Sequence, residues 1–547
     1  MTAHRRLTLP LVTFVSVVAV VMAYAMYTQS AWEDWYITYR GSKNLALGHG
    51  LVFDPGQRVH TFTSPLGTLL PAFLSWVTGN TSDDLVLWLF RFLSSCAFGV
   101  TAVLLLQLAT VLRLSRFVTA VLLLLVVGDA KTLEFSTSGM ETAFCLLFVA
   151  AALRGCFLSG RAAIITLGVG WAGLMWSRPD GFVLAGGMAL GFLAFCPTAT
   201  GASSRLGVLR AMTQAGVLGA CLYLPWMLWA WSYYGSPIPH PAVAKSLDLA
   251  DFPLLTMALS YPLRALAAPV YQDPTFLPTY HFFGGWPRVV TLLANLSAVG
   301  AWYWLVPVAS RGARAMSVAF ACGNLYVTVF TLNFPWYFPP VALLGYLVCA
   351  CAIQDALNGI AHAGRRDGPT RSAARLDGLV RAASGALVAF SFAVTLGAAW
   401  ELRIQQQVIE EGHRKQIGLW LRDNSGPGGA TVYLEPIGYI GFFSGLKMYD
   451  YPGLTSPEVI AARRELGNDW GKLIRRLEPE WVVLRPSERA RIEATDPTLL
   501  RADYTAARTF DVSERVRAHR WIPGRSFLEI DQRFEVFRRG GPAARGT

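Results

Sequence analysis

Two adjacent carboxylates, Glu33 and Asp34, follow directly on the first apolar run of the chain, among Trp32, Trp35 and Tyr36, with Arg40 two turns further on. A carboxylate held at a membrane interface among aromatic rings is partly desolvated, which raises its basicity and readies it as a general base. Acidic pairs at helix ends are also common solvated termini, so the aromatic surroundings single this one out. Cations that could hold an anionic group stand at Arg40, Arg58, Arg178, Lys245 and Arg264. Each has a plainer reading. Arg178-Pro179-Asp180-Gly181 is also a Pro/Gly turn with a local ion pair, Lys245 also a snorkelling interfacial lysine, and Arg264 also an ordinary loop charge. Glu141 starts an apolar run, where the helix dipole favours an anion. It is therefore either a cap or a member of the site. His240 and His281 are lone loop histidines without a second ligand at metal spacing. Asp83-Asp84 precedes a long apolar run and reads as a helix start, with a divalent cation as the sharper alternative. Nucleophile triads and nucleotide-type Gly-rich loops do not stand out.

These residues are carried by an apolar framework. Of the 547 residues, 53% are hydrophobic and 15% charged, against about 25% charged in a soluble domain. Aromatics at 12% exclude a disordered chain. Apolar runs at Leu7–Tyr27, Leu85–Leu112, Phe117–Val127, Met140–Leu153, Ala162–Trp176, Gly181–Phe195, Val208–Trp231, Val289–Val308, Met316–Leu332, Trp336–Cys351 and Leu379–Trp400 give about eleven spans. The first is long enough for an uncleaved span, with a signal peptide as its alternative. Several others are shorter than the usual ~20 residues and are expected to end in, or pack around, an interior cavity. The net charge of +12 is mostly Arg in short gaps between the runs. Arginine pairs such as Arg113/Arg116, Arg154/Arg161, Arg205/Arg210 and Arg311/Arg314 alternate with acidic loops, which predicts a cytoplasmic N-terminus and an outside C-terminus. No nucleic-acid role is expected from this pattern. The eight cysteines lie in or beside apolar segments without metal spacing, so neither a metal site nor a disulfide framework is expected.

Two outside loops are long, residues 28–84 and 232–288, and both are rich in Trp, Tyr, Phe and Pro. Long loops inside a compact fold are usually functional. Ala72–Val77 suits a short helix lying flat on the membrane surface. From about Glu401 the chain turns polar. Thr431–Leu434, Trp481–Leu484 and Phe534–Phe537 read as strands, Ile417–Arg422 as a helix end and Glu458–Leu477 as a helix. The expected fold is thus an all-α polytopic membrane domain, residues 1–400, followed by a small α/β domain outside the membrane, residues 401–547.

The stretch from Glu33 to Val59 resembles the first outside loop of GT-C-type glycosyltransferases, most of all the mycobacterial cell-wall arabinofuranosyltransferases and their bacterial relatives. The resemblance runs on through Thr63-Ser64-Pro65-Leu66, Ser136–Thr142, Ser177–Gly181, Tyr233–Pro239, Ala244-Lys245, Ile437–Gly445 and Asp450–Leu454, and so covers most of the chain. It implies a GT-C-type enzyme of the bacterial plasma membrane that moves a sugar from a polyprenyl-phosphate donor to a hydroxyl of a glycan, glycolipid or glycoprotein on the outer side. Asp34 matches the family's catalytic carboxylate, and Glu33 takes a neighbouring position that is often acidic. A sugar hydroxyl needs a base to take its proton. A lipid phosphate leaves as a stable anion, needing cations rather than a general acid. Lys245, Arg264, Arg178, Arg58 and Arg40 are the candidates. The resemblance further implies inversion at the anomeric centre. Trp35, Tyr36, Glu141, Asp180, Tyr234, His240, His281, Trp336 and Tyr337 are expected around the substrate cavity. No cofactor is implied, apart from a divalent cation as an option. Two departures, Gly67 where relatives often carry Trp and His240-Pro241 before Lys245, leave the donor sugar open. A transporter or flippase of lipid-linked sugars, or a non-catalytic envelope scaffold, are the competing classes. Neither internal repeats nor broken mid-membrane helices with buried charges, the usual transporter marks, are evident.

Overall fold

The first apolar run forms α1 (Ala3–Thr28), which ends where Gln29 takes a left-handed φ of 53°. After Ser30–Trp32 the chain enters α2 (Glu33–Ala46), whose acidic first turn and terminal Lys43 both suit the helix dipole. The computed structural model describes residues 3–196, 198–250, 252–266, 275–279, 286–332, 334–366, 371–426 and 429–540, without the side chains of 3–7, 264–266, 365 and 366. His281 and the Arg264 side chain lie outside the described residues.

Ser64 caps α3 (Pro65–Val77) by accepting from the Gly67 amide at 2.9 Å, with Pro65 at the first helical position. Phe73, Trp76 and Val77 on that helix are exposed, as an interfacial helix requires. Ser82, rather than either aspartate beside it, caps α4 (Asp83–Val111). Asp83 accepts instead from Lys43 Nζ at 2.8 Å and from the Tyr39 hydroxyl at 2.9 Å. The chain continues through α5 (Arg116–Val127), α6 (Ala130–Thr137) and α7 (Thr142–Cys156), the last two bent by 117°. At that bend Gly139 has φ 94°, and a Cβ there would stand 2.7 Å from the Trp35 ring. Then follow α8 (Gly160–Ser177), α9 (Gly181–Phe195), α10 (Arg205–Tyr234), α11 (His240–Leu249), α12 (Leu254–Leu266), α13 (Arg288–Ala298), α14 (Arg311–Val329), α15 (Pro339–Arg366) and α16 (Arg371–Gln405). Their common core includes Phe98, Leu146, Phe192, Phe320 and Leu347.

Among the described residues five helices are long and apolar enough to cross a membrane, or six if the bent α6–α7 pair is one span. The expected eleven spans therefore resolve into fewer full-length helices, with shorter apolar ones such as α5 and α9 packed among them. The run Val289–Val308 divides into α13 and a 3-10 segment, Val299–Leu305.

The change to polar composition near Glu401 falls inside a helix rather than in a linker. α16 passes through a nine-residue π-helical stretch, Gln406–Arg414, into α17 (Lys415–Asn424). Beyond it stands a five-stranded sheet in the order β2-β1-β3-β5-β4. Its strands are β1 (Thr431–Leu434), β2 (Lys447–Asp450), β3 (Trp481–Leu484), β4 (Tyr504–Asp511) and β5 (Arg533–Arg539). β1 runs parallel to β2 and β3, while β5 is antiparallel to β3 and β4. Helices α18 (Gly438–Ser444), α19 (Pro457–Leu466) and α20 (Trp470–Leu477) cover it. The single helix expected over Glu458–Leu477 is two, because Gly467 leaves α19 at φ 71°.

Candidate active site

Asp34, in the first turn of α2, opens into a cavity of about 240 Å³ together with Thr38, one helical turn on along the same face. Glu141 enters from the α6–α7 bend, Arg178 and Asp180 from the turn between α8 and α9, and Lys245 from α11. Trp336 and Tyr337 come from the aromatic stretch before α15. Thr61, Thr63, Ser64, Tyr326 and Leu454 complete much of the wall. Seven of the expected site residues, far apart in the chain, therefore share one cavity.

Burial pushes the Asp34 carboxyl up, Lys245 pulls it down, Glu435 pushes it up again and Arg178 pulls it down, with a net rise. That is the environment of a carboxylate kept ready as a base. Lys245 Nζ lies 3.1 Å from the Tyr337 hydroxyl, over the rings of Phe334 and Tyr337. Arg178 donates through Nε and Nη2 to Asp180 at 3.0 and 3.3 Å and stacks 3.9 Å from the Tyr337 ring centre. Its Nη1 reaches Glu141 at 3.9 Å. Burial works against the Arg178 charge, but Asp180, Tyr337 and Glu141 outweigh it. The local Arg178–Asp180 pair and the place in the cavity thus hold together. Glu141 makes no side-chain cap bond to its helix. It faces Arg178, and a Cβ on Gly67 would stand 3.3 Å from its carboxylate. The departure at Gly67 therefore sits next to the cavity wall.

Other expected site residues are placed elsewhere. Glu33 points away from Asp34: its Oε2 meets Arg414 Nη1 at 2.7 Å and its Oε1 accepts from the Gly438 amide at 3.0 Å. Burial pushes this carboxyl up to about 8 in spite of Arg414, but both of its oxygens are taken by the arginine and the amide, which fits bracing. Arg40 is buried, pairs with Asp54 at 2.6 Å and donates to the carbonyls of Phe53, Gly441, Gly445 and Leu446. It ties loop to domain, leaving no fork for a phosphate. Arg58 lies over Tyr233. Trp35 stacks on Tyr39, and Tyr36 packs on Tyr439, Phe442 and Phe443, as core residues. The Tyr234 hydroxyl donates to Leu51 O at 2.7 Å and its ring stacks on His60. The His240 amide donates to His60 O, and its ring is bonded to the backbone of Ser456. Among the described residues no group of three or more His, Cys, Asp or Glu is arranged to hold a metal ion.

The sequence reading missed Tyr326, which donates to Asp180, and Leu454 of the C-terminal region. Tyr326 carries no local signal, and Leu454 stood only as the last residue of the Asp450–Leu454 stretch of the resemblance. Thr38 was available from its spacing of four from Asp34.

A family profile described as "Domain of unknown function (DUF8728)" matches residues 401–537. The chain is 30% identical over 241 residues to a protein of Corynebacterium glutamicum named terminal beta-(1->2)-arabinofuranosyltransferase, covering 39% of this chain and 33% of that protein. It is 25% identical over 339 residues to a Mycobacterium tuberculosis protein of the same name, covering 53% of this chain and 51% of that protein. The chain therefore spans about a third to a half of the curated relatives it matches. In fold it is similar to the crystal structures of ArnT from Cupriavidus metallidurans, in the apo state (TM-score 0.52) and bound to undecaprenyl phosphate (TM-score 0.50). Both are 13% identical, and each match covers 98% of this chain and 99% of the other. The chain thus has an ArnT-like fold, and over part of its length it resembles in sequence two proteins named terminal beta-(1->2)-arabinofuranosyltransferase.

Proposed function

We propose that this chain is a multi-pass membrane glycosyltransferase that moves a sugar, a pentofuranosyl group in the first instance, from a polyprenyl-phosphate donor to a hydroxyl of a cell-envelope glycan or glycoconjugate. The observation that carries this reading is the convergence of Asp34, Lys245 and Arg178 on one cavity. Asp34 takes the proton of the acceptor hydroxyl as its oxygen bonds to the anomeric carbon. The bond from that carbon to the phosphate oxygen breaks, and the released phosphate charge falls to Lys245 and Arg178. Attack from the face opposite the phosphate inverts the centre. Trp336 and Tyr337 offer flat surfaces to the sugar. The names of the two curated relatives support the sugar class, and the undecaprenyl phosphate bound in the ArnT crystal structure supports a lipid phosphate as carrier. We place the cavity on the outer side of the bacterial plasma membrane, with residues 1–400 as the catalytic membrane domain.

The test is transfer from synthetic polyprenyl-phosphate pentoses and hexoses to short glycan acceptors by the full-length protein in nanodiscs. The reading predicts a donor-dependent product whose formation is lost in Asp34→Asn. Full turnover by that variant would overturn it.

A further inference from the structure

The matched region of unknown function touches the candidate site in two places, each next to a residue the chemistry uses. The first is α2. Glu33, adjacent to Asp34, is held by Arg414 and by the Gly438 amide. Two residues before Glu33, the Ala31 amide donates to Gln406 Oε1 at 3.0 Å, and the Tyr439 hydroxyl donates to Ala31 O at 3.1 Å. Arg414 is itself fixed by Glu410 and Asp531, and Asp531 by Arg485. The fit is tight: a Cβ on Gly438 would stand 2.2 Å from Glu33 O. The second place is α11. One turn beyond Lys245, Asp248 is paired with Arg463, a buried arginine that also donates to Pro452 O. Leu454, close by in the chain, lines the cavity itself.

One body thus grips the helix that carries the candidate base and the helix that carries the candidate phosphate-binding lysine. We infer that residues 401–537 are a working part of the active site: through Arg414 and Gly438 on α2, and Arg463 on α11, they set where Asp34 and Lys245 stand relative to one another. Glu33 is a positioning residue, not a second base. This rests on the function proposed above. A displacement of about 1 Å at such a site costs up to about 100-fold in rate.

The two grips leave different kinetic marks. Glu33→Gln keeps the shape and removes the charge. Gly438→Ala presses on Glu33 itself, 2.2 Å from its carbonyl oxygen and 2.4 Å from its Cγ, without removing a charge. Both are expected to lower kcat about 10- to 100-fold with the donor KM unchanged, and to leave the acid limb of the kcat–pH profile in place. Asp248→Asn releases α11 and is expected to raise the donor KM several-fold with little change in kcat. In the full-length protein without substrate, Glu33→Gln and Gly438→Ala are expected to speed amide exchange over the first turns of α2. Unchanged exchange there, or wild-type kinetics in all three variants while Asp34→Asn is inactive, would overturn the inference alone. Loss of the acid limb in Glu33→Gln would make Glu33 the base and overturn it as well. An active Asp34→Asn would instead bring down the function on which it rests.

Discussion

Arg178 and Arg414 are both buried arginines among carboxylates, yet their surroundings differ in kind. Arg414 is surrounded by Glu33, Glu410 and Asp531, and the next arginine, Arg485, shares Asp531 and adds Glu435 and Glu488. Burial pushes the Asp531 carboxyl up, but Arg414 and Arg485 outweigh it and hold it down at about 2. Each carboxylate there has an arginine within ion-pair distance. In the cavity, Arg178 answers Asp180 closely but Glu141 only at 3.9 Å, and Lys245 meets a tyrosine hydroxyl. Among the described residues Asp34 has no ion pair within 4.0 Å; its cations act on it through the field. Saturated charges hold the fold, and under-answered charges around a cavity are the ones left for a ligand.

The largest effect that can break this comparison is expected at Asp34. Asp34→Asn should lower kcat by about 10²–10⁴, the range for loss of a general base. The proposed function makes the carboxylate the active form, and burial raises its pKa. Activity should therefore fall with decreasing pH at values above the ~3.9 of an ordinary aspartate, as a kcat–pH profile will show. Next comes Lys245→Ala, with an expected loss of about 10²–10³ in kcat/KM for removing a charge stabiliser. Donor lipids with a methylated phosphate should lose the difference between the variant and the wild type. On the other side, Arg414→Ala leaves Glu33 and Glu410 without an ion-pair partner and Asp531 with Arg485 alone, and thermal unfolding in detergent should show a loss of about 3–5 kcal/mol. The smallest effect is expected for Arg58→Ala. An exposed cation–π contact is worth about 0.5–1 kcal/mol, and Arg58 stands over Tyr233 outside the cavity wall. Its kcat/KM should stay within about threefold of wild type, and a larger loss would return Arg58 to the phosphate site.

The sequence made the cavity residues readable where chemistry and local context coincide: an acid among aromatics after a span, an Arg-Pro-Asp turn, a lysine in a long loop. The residue types alone did not separate Glu33 from Asp34; only the resemblance singled out Asp34. The partner that decides their roles, Arg414, lies near the far end of the chain, in a π-helical stretch without a periodic mark. Three strands were visible as short apolar runs. β4 was not, because it is an edge strand whose residues are mostly exposed and so shows no alternation. β2 is only four residues long. The lengths and breaks of the apolar runs were not legible, because an apolar run fixes composition, while length and breaks follow from packing, as Val289–Val308 shows.

The contact between Gly139 and Trp35 reaches beyond this one chain. With φ at 94° and the indole pressed against it, position 139 has room for nothing larger than hydrogen. The dependence is therefore one-sided: a lineage that replaces the glycine must first have surrendered the tryptophan, whereas one that replaces the tryptophan is still held to glycine by the backbone.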